Sequence, residues 1–162
     1  MLKEQEIMAR AEQYSWASLV ALIVIFAWFQ MRMLDGWTIV DQSAPALFGV
    51  YLFVIVATTI AEGAIAGVLW LLGGRQGIER DERDQAIESR ANQNERIFII
   101  AAVNVLIWQA IWEGMVGVFG LPRIDLTRLP ALVFALFALL FGGELVKRVS
   151  TIWLYRVQSP RG

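Results

Sequence analysis

Four long apolar runs constrain this chain more than any other feature. They extend from about Trp16 to Leu34, Pro45 to Leu72, Ile97 to Phe119 and Pro130 to Val146. Crossing a hydrocarbon core of ~30 Å takes ~20 helical residues at ~1.5 Å each. The first and third runs meet that length. The second exceeds it and must tilt or project. The fourth falls short unless Lys147 and Arg148 snorkel to the headgroups on their flexible stems. Leu19 to Phe26 is apolar on every side, with no polar stripe for water, which argues against a soluble bundle. Hydrophobic residues make up 57% of the 162, against ~45–50% in soluble domains. The expectation is an all-α integral membrane protein with four transmembrane helices, forming a single membrane domain over residues 1–162.

Start and stop signals agree with these runs. Ser43 and Pro45 open the second helix and Gly73-Gly74 closes it; Gly120-Leu121-Pro122 ends the third, and Leu129-Pro130 opens the fourth. The first run follows Lys3-Glu4-Gln5-Glu6, which is not a net positive leader. It is too long for the apolar core of a signal peptide and precedes no small-x-small cleavage site, so it reads as a retained helix.

Basic residues set the expected orientation. Lys3 and Arg10 precede the first helix. Arg75, Arg80, Arg83, Arg90 and Arg96 lie between the second and third, and Lys147, Arg148, Arg156 and Arg161 follow the fourth. The opposite side has only Arg32, Arg123 and Arg128. The positive-inside rule then places both termini and the central connection in the cytoplasm, with Trp37 and Arg123 outside, in a multi-pass protein of the cytoplasmic (inner) membrane. Trp16, Trp37, Trp70 and Trp153 fall near the expected interfaces, where indole prefers to sit.

Composition narrows the chemistry. The chain has no cysteine and no histidine. Disulfides, thiolate chemistry, a zinc site and a Ser-His-Asp triad therefore cannot come from this chain alone. A net charge of −1 gives no field to attract nucleic acid. We expect no enzyme activity, no cofactor, no metal site and no direct nucleic-acid contact.

The chain also resembles itself. Lys3 to Gln13 aligns with Arg83 to Gln93, with identical Gln5/Gln85, Ile7/Ile87, Arg10/Arg90, Ala11/Ala91 and Gln13/Gln93 and the charge sign kept at the first two positions. The same spacing pairs Trp28 with Trp108. Pro45-Ala46-Leu47 resembles Pro130-Ala131-Leu132, and Glu62 resembles Glu144, at slightly different spacings. The expected organisation is two parallel-repeat helical hairpins, residues 1–74 and 79–156, around a charged connection at 75–96. Chance similarity between two charged juxtamembrane stretches is the alternative.

The stretch Asp81-Glu82-Arg83-Asp84-Gln85-Ala86-Ile87-Glu88-Ser89-Arg90-Ala91 resembles the D-E-R-x-x-x-I-x-x-K/R-A signature of an uncharacterised family of small prokaryotic four-helix membrane proteins. The signature there lies between the second and third helices, as here. The resemblance implies architecture and no activity. Some families of this type are encoded beside small helix-turn-helix regulators, which implies membrane proteins that hold a transcription factor. Physically, Asp81, Glu82 and Asp84 suit the N-terminal end of a helix dipole, with Arg90 and Arg96 further along. The motif reads either as a solvated extension that sets register or as a docking surface in which Asp81, Glu82, Arg83, Asp84 and Arg90 meet a cytoplasmic protein.

Polar groups inside the apolar runs are the other candidates. Glu62, Glu113 and Glu144 are carboxylates in lipid-length segments, where a charge costs ~2.5–3.5 kcal/mol at the bilayer centre. Glu62 and Glu144 should lie at similar depth and point into the bundle, and at close range they should have a shared or raised pKa. Thr58 and Thr59 precede Glu62 by one turn and should hydrogen-bond nearby. Asn104, Gln109 and Glu113 line the third helix, with Glu113 in a separate outer cluster with Arg32 or Asp35. Gly63 and Gly67 form G-x-x-x-G, and Gly142-Gly143 precedes Glu144. Both pairs suit close helix packing, within the bundle or between protomers.

Two functions follow. One is a non-enzymatic inner-membrane regulator or adaptor that binds a cytoplasmic protein partner, for which a small helix-turn-helix transcription factor is the candidate. The other is a small oligomeric proton-coupled transporter or channel, most simply a homodimer, that uses the intramembrane glutamates.

Overall fold

The computed structural model describes residues 2–73, 82–114 and 125–158, with side chains over 12–72, 82–111 and 125–157. The chain forms four long helices: α1 (Leu2–Met33), α2 (Ala44–Gly73), α3 (Glu82–Gly114) and α4 (Leu129–Gln158). Each is long and apolar enough to cross a membrane. The apolar runs account for only part of their lengths. α1 and α3 each start in charged sequence well before the apolar run, and α4 continues through Lys147 and Arg148 to Gln158. The short fourth apolar run thus belongs to a helix of 30 residues. Pro45 and Pro130 both sit in the first turn of their helices, where a missing N–H costs nothing.

A two-residue hairpin joins α1 to α2. Its strands are β1 (Leu34–Asp35) and β2 (Thr38–Ile39), paired antiparallel with Leu34 opposite Ile39. Gly36 takes the first turn position at φ 60°, and no other kind of residue has a positive φ among those described. Tight hairpin turns of this hand require that conformation, which glycine adopts without strain. The Val40 amide donates to the Met33 carbonyl at 2.9 Å and Gln42 Nε2 to the Arg32 carbonyl at 2.6 Å, closing the connection. Arg128, just before α4, pairs with Asp41. Beside it the Thr127 hydroxyl, then its amide, hold the Asp125 carboxyl below the usual range. Together these contacts define the hairpin end of the molecule. The beginnings of α1 and α3 and the end of α4 define the opposite, polar end.

Packing follows the order α2–α1–α4–α3. α1 packs against both α2 and α4, α3 packs along α4, and α2 touches α4 only lightly. The core joins α1, α2 and α4 through Phe29, Met33, Leu47, Val50, Val54 and Phe141. Aromatic rings lock α1 to α4: Phe29 lies 5.0 Å from Phe137 and 5.7 Å from Phe134, and Phe26 lies 4.8 Å from Phe141. In lipid such contacts gain by dispersion and fit, because hydrocarbon tails are as apolar as the side chains themselves.

The α3–α4 contact uses small residues. A methyl group placed on Gly142 would stand 2.7 Å from the Phe98 ring, and one on Gly143 would stand 3.1 Å from Ile99. Gly63 and Gly67 differ. Among the described residues nothing lies within 4 Å of a methyl placed on either, so their G-x-x-x-G makes no packing contact there. α3 buries none of its apolar window, and large side chains such as Val24, Ile60, Leu71 and Val105 are exposed. Apolar surface on that scale needs a lipid or protein covering rather than water.

Candidate functional site

Glu62 of α2 sits at the centre of a polar cluster. It accepts hydrogen bonds from Tyr14 Oη and Ser18 Oγ of α1. Arg148 of α4 donates from Nη2 to the same carboxylate at 3.1 Å. The Arg148 Nε lies 3.6 Å from Glu144, one helical turn earlier, and its guanidinium covers the Tyr14 ring at 5.5 Å. The local sequence explains the convergence. Tyr14 and Ser18 are one turn apart on α1, as Glu144 and Arg148 are on α4, so each pair shares a face. α2 supplies only Glu62, which has the reach to meet both.

Measured along the helices, the cluster lies at one level. Ser18 is ~22 Å from the hairpin end of α1, Glu62 ~27 Å along α2, and Glu144 and Arg148 ~22 and ~28 Å along α4, at ~1.5 Å per residue. That is close to the full ~30 Å of a hydrocarbon core. Glu62 and Glu144 both line the same cavity. Arg148 stands between the two carboxylates and forms an ion pair with each.

A cavity of about 330 Å³ runs from the cluster toward the hairpin end. α1 forms its floor with Leu22 and Ile25, α2 one wall with Val54 and Ala61, and α4 the other with Phe137 and Leu140. Its existence follows from the packing order, since α2 and α4 both lean on α1 and scarcely touch.

Other candidate residues stand elsewhere. Thr58 lines the cavity, but it donates to the Val54 and Ile55 carbonyls and Thr59 to Ile55, so neither reaches Glu62. A helical threonine satisfies its hydroxyl locally more readily than across a gap. Asn104 likewise bonds the Ile100 carbonyl of its own helix and is exposed, while Gln109 is half-buried. The Glu113 side chain lies outside the described residues.

At the polar end the signature divides by face. Asp84, Ile87 and Ala91 are buried, at helical spacing. Tyr155 of α4 donates to Asp84 at 2.9 Å. Asp84 is therefore a packing residue rather than part of an open docking surface. Glu82, Gln85, Ser89 and Arg90 face outward, and Arg83 is half-buried. Asp81 lies outside the described residues. Further contacts lace this end together: Asn94 to Ser150 at 3.1 Å, Lys147 to Glu95 at 3.6 Å and Arg156 to Glu12 at 3.9 Å.

Sequence reasoning missed Tyr14, Ser18 and the bridging role of Arg148. The available signal was Tyr14 and Ser18 one turn apart at the head of an apolar run, facing the level of Glu62. Compared with known proteins, the chain matches no family model, no curated sequence and no solved structure at a significant level.

Proposed function

We propose that this protein is a non-enzymatic membrane adaptor of the inner membrane, with its polar end in the cytoplasm, that presents the first turns of α3 to a protein partner. The observation that carries this reading is the two-sided signature. Asp84, Ile87 and Ala91 fix α3 on α4, while Glu82, Gln85, Ser89 and Arg90 stay exposed on the other side. A charged helix face held rigid before binding loses little entropy when it docks. By the resemblance of its signature, a small helix-turn-helix transcription factor is the candidate partner.

A photo-crosslinker at position 85 or 89 should capture one specific protein in cells. The paired reversal Glu82→Arg and Arg90→Glu should abolish that capture while leaving the helix content unchanged. Capture that survives the reversal, or capture of lipid alone, would contradict the adaptor reading.

A second reading is supported by the cluster itself: a small oligomeric, proton-coupled transporter. Glu62 is a carboxylate held by three side-chain donors at the head of a cavity, and intramembrane ionisable groups are functional candidates by default. Under that reading, Glu62→Gln stays folded and abolishes flux in liposomes. Retained flux would exclude it.

A further inference from the structure

The two carboxylates at the head of the cavity are not equivalent. Glu62 accepts from three donors, Tyr14, Ser18 and Arg148. Glu144 has only the 3.6 Å ion pair with Arg148 Nε and makes no hydrogen bond among the described residues. It also lines the cavity. A carboxylate accepts through two oxygens and about four lone-pair sites, so Glu144 retains most of its capacity on the cavity side. The charges point the same way. Two carboxylates surround one guanidinium, and the adjacent Lys147 is occupied by Glu95. Below them the lining is apolar, with Leu22, Ile25, Val54, Phe137, Leu140 and Phe141.

We infer that this groove binds an amphiphilic cation, an alkylammonium-type molecule whose charged nitrogen meets Glu144 while its apolar chain lies between α2 and α4 on α1. Charge complementarity selects this occupant. An anionic headgroup would have to displace carboxylates from Arg148, and a neutral chain would leave Glu144 sharing its one cationic partner with Glu62. Size is compatible: about 330 Å³ lies at the small end of the ~300–1,000 Å³ range of ligand sites. From Phe137 to Glu144 the groove extends ~10 Å at ~1.5 Å per residue, enough for a medium alkyl chain. Entry is lateral, because the light α2–α4 contact leaves that side unsealed by helix. Binding here is independent of any cytoplasmic partner and does not require transport.

The test uses the full chain in phosphatidylcholine nanodiscs. Octyltrimethylammonium, octyl sulfate and octanol are titrated by calorimetry, with empty nanodiscs subtracted. The cation should bind saturably at one site per chain, at least tenfold more tightly than either the anion or the alcohol. Glu144→Gln should weaken the cation at least tenfold and erase the preference for it. Ala61→Phe should block binding by filling the groove from α2, with both carboxylates unchanged. It also serves as a second variant if Glu144→Gln folds poorly. Equal binding of the three amphiphiles, preference for the anion, unchanged cation affinity in a folded Glu144→Gln, or no saturable binding would each overturn the inference.

Discussion

Arg148 is the residue on which the site turns. It holds Glu62 of α2 and Glu144 of its own helix, and it caps Tyr14 of α1. Its side chain is 17% exposed, against 38% for Glu62 and 42% for Glu144. Breaking a fully buried pair costs ~3–5 kcal/mol. Partial exposure of both carboxylates reduces that figure, because water screens what remains. Arg148→Met should therefore destabilise the protein by about 1–2 kcal/mol. Glu62→Gln should cost less, because the amide oxygen still accepts from Tyr14 and Ser18. Thermal unfolding in a mild detergent checks the order. A larger loss for Glu62→Gln than for Arg148→Met would show that Arg148 is not the hub. At this scale the sequence was only partly legible. The glutamates stood out because carboxylates are rare in apolar runs. Tyr14 and Ser18 did not, since a tyrosine and a serine at the head of a membrane helix are unremarkable until the partner helix is in place.

At the scale of elements, the two glycine pairs part company. Gly142 and Gly143 admit the side chains of α3, and Phe98 fills the space where a larger residue would project. Gly142→Val should cost about 1–3 kcal/mol by overpacking. Gly63→Ala should be neutral or stabilise by up to ~1 kcal/mol, since alanine is the better helix former and has open space here. Unfolding of the two variants side by side decides this, and a strong loss from Gly63→Ala would show that another chain packs on α2. The sequence named both pairs as small-residue motifs but could not say which one had a neighbour, because that depends on helix order. The hairpin at Gly36 was legible in principle: Asp35-Gly36 between β-tolerant residues is a turn signal, masked by the long apolar runs around it. A duplicated hairpin remains a proposal.

For the molecule as a whole, helix number and apolar length were readable because ~20 apolar residues in a row leave the backbone few alternatives to a helix. The open order α2–α1–α4–α3 was not, because outward-facing and helix-facing positions are both apolar. Only the polar residues betray the inward side, and here they are few. The lopsided distribution of basic residues supports the proposal that unites the account: four crossings, with the polar end in the cytoplasm. The chain has no native cysteine, so single cysteines at Trp37, fully exposed at the hairpin tip, and at Arg90, exposed at the polar end, can be labelled in intact cells with a membrane-impermeant maleimide. Position 37 should react in intact cells, and position 90 only after permeabilisation. Labelling of position 90 in intact cells, with position 37 protected, would invert the molecule and remove the cytoplasmic partner face from the account.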